Sequence, residues 1–142
     1  MKTTKKLTED VSVCSFVSPD ELPALAKQFR TIINNRPDAE EPGQPSSAEL
    51  EAAARELGLE YVHIPVIPGQ YGEEQVEAFA KALADNPGAK LAFCRTGTRS
   101  ASLWALSQAG NRSPADILAA ASAAGYDLNA LAPRLSEKVR AK

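Results

Sequence analysis

Histidine is nearly missing from this chain. His63 is the single one, and Cys14 and Cys94 are the only cysteines. One histidine with two scattered cysteines cannot close a metal site, and two cysteines are too few for a disulfide-stapled secreted fold. No apolar run approaches the roughly 20 residues needed to cross a bilayer. The start lacks the basic-then-apolar layout of an export signal. Charge of one sign is lacking too: 16 Lys and Arg against 18 Asp and Glu leave a net charge of −2. Such a balance gives no field to draw in nucleic acid or an anionic membrane. We therefore expect neither as a partner, no metal or cofactor, and a reducing cytoplasmic location. The length of 142 residues suits one domain with a real core. Residues 1–10, with Lys2, Lys5 and Lys6, read as a flexible leader, and 11–142 as the domain.

What is present centres on Leu91-Ala92-Phe93-Cys94-Arg95-Thr96-Gly97-Thr98-Arg99-Ser100-Ala101-Ser102-Leu103. A short apolar run ends in a cysteine, turns through small polar residues and opens a helical pattern. Strand, tight loop and helix N-terminus in that order make an anion site, because loop N–H groups and first-turn N–H groups converge with the helix dipole. Cys94 lies where that field favours a thiolate. Arg99 can fork onto two oxygens of an oxyanion. Gly97 lets the backbone come close to it.

The flanking chain alternates strands and helices. Val11–Phe16 alternates apolar and polar residues as a half-buried strand does. Ser18, Pro19 and Glu21 open a helix whose buried face is Leu22, Leu25, Ala26 and Phe29. Thr31-Ile32-Ile33 is a second strand, ended by Arg36-Pro37. Ser46 and Glu49 form a capping box for the next helix, which Gly58 closes. Tyr61–Val66 is a third strand, and Glu73 and Glu74 begin another helix. Lys90–Phe93 is the fourth strand, running into a buried helix that starts near Ser100. Ser113 caps a further helix closed by Gly125, and the last helix lies near Pro133. The expected fold class is α/β: a three-layer, mainly parallel sheet of four to five strands with helices on both faces. Ligands then gather at the carboxyl ends of the strands, which brings Arg36, the loop after Ile64 and Cys94 to one edge.

Cys94, Gly97 and Ser100 resemble the H-C-x-x-G-x-x-R-S/T loop of tyrosine and dual-specificity phosphatases, with Arg99 one residue early and Phe93 in the histidine's place. Cys94 to Ser100 also matches the C-R-x-G-x-R-S loop of single-domain rhodaneses. From about Val11 to Leu135 the chain resembles the bacterial phosphatase-like family related to the domain on beta-lactamase hydrolase-like proteins. The likeness is carried by Ile33-Asn34-Asn35-Arg36-Pro37 with Glu40-Glu41, Tyr61–Val66, Cys94–Ser100 and Ala123-Ala124-Gly125-Tyr126-Asp127. It implies a cysteine phosphatase-like fold of the dual-specificity kind.

The expected activity is hydrolysis of phosphate monoesters, on a small-molecule or phosphoprotein substrate, through a phosphocysteine at Cys94. Cys94, Arg99 and Ser100 are the expected catalytic residues, with the Ser100 hydroxyl bonding the sulfur, as the resemblance implies. Arg95, Thr96, Gly97 and Thr98 are expected to line the substrate. Arg36 and Glu73 are secondary candidates, with Arg36 bracing loops through Glu40 or Glu41. The aspartate that serves as acid in dual-specificity phosphatases has no counterpart between Val66 and Glu73; Glu73 and Glu74 are the nearest carboxylates, and Asp38, Glu40 and Glu41 could reach in from the loop after strand two. That absence and the shorter loop keep open a rhodanese-like sulfurtransferase with a persulfide on Cys94, and, third, a module that holds an oxyanion without turnover.

Overall fold

The structure is a computed structural model that describes residues 3–140. Met1 and Lys2, part of the expected leader, and Ala141 and Lys142 lie outside the described residues. The strands are β1 (Lys5–Lys6), β2 (Val11–Cys14), β3 (Thr31–Asn34), β4 (Glu60–His63) and β5 (Lys90–Phe93). The α-helices are α1 (Leu22–Leu25), α2 (Ser47–Glu56), α3 (Glu73–Asp85), α4 (Thr98–Gln108), α5 (Pro114–Ala123) and α6 (Ala132–Arg140). The five strands form one sheet in the order β1-β2-β5-β3-β4, parallel throughout except for β1.

Register explains the layers. Val13 pairs with Ala92, which pairs with Ile33, so these three share one face. Cys14, Phe93, Leu91 and Ile32 take the other. The first face packs under Val76 and Phe79 of α3, Leu103 and Trp104 of α4, Ile117 of α5 and Leu135 of α6. Leu22 and Leu25 of α1 and Leu50 and Ala54 of α2 cover the second. Phe79, Ile32, Ile33 and Leu91 are fully buried. Each such side chain contributes about 1.5–3 kcal/mol of transfer free energy. α4 is buried almost all round, so the helix behind the Cys94 loop is held by packing along its whole length.

Three expectations change in detail. The segment read as a leader contributes strand β1, whose Lys5 and Lys6 pair with Val13 and Ser12. Leu7 then enters the core at 7% exposure, and the Thr8 hydroxyl accepts the N–H groups of Asp10 and Val11 in the turn. The first helix breaks into a 3-10 turn over Pro19–Glu21 and the short α1, because Pro23 has no N–H to continue the ladder. β4 stops at His63 rather than Val66, since Pro65 cannot donate. Ile64 and Val66 still donate to Asn34 O and Asn35 O at 2.8 and 3.1 Å, so the segment follows β3 to the site. No helix among the described residues is long and apolar enough to cross a membrane.

Candidate active site

Cys94 is the first residue after β5 and is fully buried. Gly97, at φ +96, is the N-cap of α4, a conformation that glycine adopts without penalty. Its N–H donates to Cys94 Sγ at 3.0 Å. α4 begins at Thr98, two residues before the expected start at Ser100. The N–H groups of Thr98, Arg99 and Ser100 therefore belong to its first turn and have no intrahelical acceptor. Sulfur, free N–H groups and the positive end of an 11-residue helix face one place.

The Ser100 hydroxyl behaves differently from the expectation that it bonds the sulfur. It donates to Asn35 Oδ1 at 2.7 Å. Asn35 is fully buried and is fixed by three further bonds: Nδ2 donates to Ile64 O at 2.9 Å, N–H to Phe93 O at 2.8 Å, and its O accepts Val66 N–H at 3.1 Å. An amide pinned on both sides offers its oxygen at a fixed point, and the short hydroxyl of Ser100 reaches it. Asn34 is also occupied: its Oδ1 accepts Arg36 N–H at 2.8 Å and its Nδ2 donates to the Tyr61 hydroxyl at 2.9 Å. His63 Nε2 lies 2.9 Å from Arg36 O, so it holds the loop after β3.

That loop also supplies Glu40. Ala39 sits at φ +58, in the left-handed region that non-glycine residues rarely adopt. The turn puts Glu40 on Arg99. Glu40 Oε1 accepts Arg99 Nη2 at 2.9 Å, and Oε2 lies 2.8 Å from Arg99 Nη1. Arg36 Nε donates to the same Oε1 at 2.9 Å, and Arg36 Nη2 bonds Glu41. Arg95 Nε stands 3.5 Å from Glu41 Oε2. Charges thus alternate along Arg95, Glu41, Arg36, Glu40 and Arg99. The hydrogen bond from Arg99 lowers the Glu40 carboxyl below the usual carboxylate range, against burial, and Arg36 adds to it. Burial works against the Arg99 charge, but the Glu40 bond and the nearby Cys94 outweigh it and raise the guanidinium further.

Counting donors shows what Arg99 still offers. A guanidinium has five N–H bonds. Nη1 serves Val66 O at 2.8 Å and Glu40, and Nη2 gives one to Glu40. The Nε–H and the second Nη2–H remain, and they form the side-on fork that fits two oxygens of an oxyanion. Glu40 therefore takes the end of Arg99 and leaves its edge. An open cleft of about 360 Å³ leads to this place, lined by Glu40, Glu41, Tyr71, Arg95, Thr96, Thr98 and Arg99 among others.

Glu73 does not line that cleft. It stands on the first turn of α3, 66% exposed, 3.6 Å from Arg134 of α6. Arg36 is 4% exposed, and its guanidinium lies 5.8 Å from the Phe16 ring centroid. Cys14 is buried, aligned with Phe93 in the neighbouring strand.

Comparison with known proteins bears on the family and the fold. The family described as "Beta-lactamase hydrolase-like protein, phosphatase-like domain" matches residues 3–111. The chain belongs to that family. A beta-lactamase hydrolase-like protein of Xylella fastidiosa is 38% identical over 125 residues, which cover 86% of this chain and 29% of the relative. The chain thus spans under a third of the length of the curated relatives it matches. A candidate phosphatase of known structure from Neisseria meningitidis is 31% identical, with a TM-score of 0.82 over 94% of this chain and 96% of that one. Tk-PTP superposes with a TM-score of 0.78 over 99% of this chain and 98% of its own. At 16% identity that likeness concerns the fold alone. The fold is the cysteine-phosphatase α/β fold, as the sequence led us to expect.

Proposed function

We propose that this family member is a cysteine-dependent hydrolase of phosphate monoesters, with Cys94 as nucleophile. The observation that carries the reading is the side-on fork of Arg99, which Glu40 leaves unused, on a guanidinium whose charge feels Cys94. In the first step Cys94 Sγ attacks phosphorus, an S–P bond forms, and the P–O bond breaks with its electron pair leaving on the alcohol oxygen. In the second, water attacks phosphorus, the S–P bond breaks, inorganic phosphate leaves and the thiolate returns. Backbone N–H groups and Arg99 meet the charge on the non-bridging oxygens, the largest usual source of rate enhancement. Arg95, Thr96 and Thr98 flank the substrate at the mouth. The substrate is a small molecule or a phosphoprotein, and the reaction needs Cys94 reduced, which suits the cytoplasm.

The leaving group sets a demand. Glu40 is held ionised by Arg99 and Arg36 and has no proton to give. Glu41 is engaged by Arg36 and Arg95. General acids are worth roughly 10²–10⁴-fold. Aryl phosphates, whose leaving groups barely need a proton, should be hydrolysed faster than alkyl phosphates by about that factor. Equal rates for the two would count against the mechanism.

The same missing acid favours a second reading, sulfur transfer. Cys94 would attack the sulfane sulfur of thiosulfate, release sulfite and hold a persulfide, then pass that sulfur to cyanide as thiocyanate. No proton donor is required. Fully reduced protein should release phosphate from an aryl phosphate. Protein that releases none, yet carries labelled sulfane sulfur on Cys94, would overturn the phosphatase reading in favour of this one.

A further inference from the structure

The Ala123–Asp127 stretch carries part of the family likeness but has no place in the chemistry above. α5 ends there in a left-handed cap, with Gly125 at φ +98. Gly125 N–H donates to Ser122 O and Tyr126 N–H to Ala121 O, both at 2.9 Å. These are the paired bonds of a Schellman motif, with Gly125 at C′ and Tyr126 at C″. The cap turns the chain back and brings the half-buried Tyr126 against the nucleophile loop. A Cβ on Gly97 would lie 2.1 Å from the Tyr126 hydroxyl oxygen and 3.0 Å from its Cζ. The hydroxyl stands 3.4 Å from Thr96 O.

Thr96 O and Gly97 N–H belong to one peptide unit. It is trans, so its C=O and N–H point in opposite directions. The oxygen faces Tyr126, and the N–H donates to Cys94 Sγ at 3.0 Å. Half a turn of that unit would aim the carbonyl oxygen at the sulfur and repel a thiolate. Glycine resists such a turn least, because it lacks a Cβ. Some other group must hold the orientation.

We propose that Tyr126 is a positioning residue that latches the Thr96–Gly97 peptide so that its N–H stays on Cys94 Sγ. The proposal rests on the reading of Cys94 as the nucleophile. At 3.4 Å the hydroxyl–carbonyl contact is longer than a strong hydrogen bond. The latch therefore works by volume as well: the hydroxyl fills the space that a Gly97 Cβ would occupy. Burial, with Cys94 and Cys14 nearby, raises the Tyr126 phenol above its ordinary value, so the hydroxyl stays a neutral donor at neutral pH.

The test is the rate of Cys94 alkylation by iodoacetamide, read at that residue by peptide mass spectrometry, in mildly acidic and in alkaline buffer. Tyr126→Phe keeps the ring and removes the hydroxyl. Its acidic rate should fall about five- to tenfold, as for a weakened bond to a charged acceptor, while the alkaline rate stays. A merely structural role would lower the melting temperature without changing the ratio of the two rates. Gly97→Ala should also lower the acidic rate, and by less when Tyr126 is already phenylalanine, because the closest clash is with the hydroxyl. Parent and Tyr126→Phe proteins with the same ratio would overturn the latch. A Cys94→Ser protein that still turns over an aryl phosphate at the parent rate would instead remove the nucleophile, and the latch with it.

Discussion

Glu40→Gln removes one charge and almost no volume, and its effect can be worked out from the site. The carboxylate receives three contacts of 2.8–2.9 Å, two from Arg99 and one from Arg36. Those arginines are 6% and 4% exposed. Each bond to a charged group is worth about 1.5–3 kcal/mol, and glutamine keeps one acceptor while setting an NH2 group against a guanidinium. Breaking a fully buried pair costs about 3–5 kcal/mol. The Glu40 side chain is 19% exposed, so water recovers part of that. The expected loss is about 2–3 kcal/mol, or roughly 6–9 °C in melting temperature for a chain of this length. The loss must also depend on pH. Glu40 has a lowered folded-state pKa, so its contribution is present above the unfolded value of about 4.3 and vanishes as pH falls through the folded value. Thermal unfolding followed by circular dichroism should therefore show a gap between parent and variant at neutral pH that closes in acid. Equal melting at neutral pH, or a gap that persists undiminished in strong acid, would refute the reasoning. Turnover should fall with kcat rather than KM alone, because the open edge of Arg99 loses its orientation.

Cys94→Ser should abolish turnover yet keep phosphate binding by calorimetry, since the N–H groups and Arg99 stay. Asn35→Ala leaves the buried Ser100 hydroxyl without its acceptor and should cost about 1–3 kcal/mol in chemical denaturation. Glu73→Gln should leave the rate on aryl phosphates unchanged, because Glu73 stands near Arg134 and does not line the cleft.

How far the sequence could be read depended on whether the cause was local. Capping chemistry is local, so Ser46, Gly58 and Ser113 mark helix ends where the structure has them. The order of strand, loop and helix around Cys94 follows from apolar spacing and one glycine, and it too was legible. β1 was not, because two exposed lysines carry no apolar alternation; only their pairing with β2 makes a strand. Breaks at Pro23 and Pro65 are visible in principle, since each removes an N–H where the apolar pattern continues. The site partners were harder. The sequence offered Glu40 as a brace for Arg36, four residues away. Its fork on Arg99 spans 59 residues and depends on Ala39 adopting a conformation that nothing in its residue type announces. Asn35 carries a signal of its own: two adjacent asparagines at the end of an apolar strand bury polar groups, and buried amides demand partners. One of them turned out to be Ser100. The shortened loop gains a meaning from this. With Ser100 tied to Asn35 and Arg99 gripped from behind by Glu40, the cradle is braced from the carboxyl end of β3 and the loop after it as well as by its own turn. A loop braced from outside can be a residue shorter than the tyrosine phosphatase loop it resembles and still hold its donors around a fixed point.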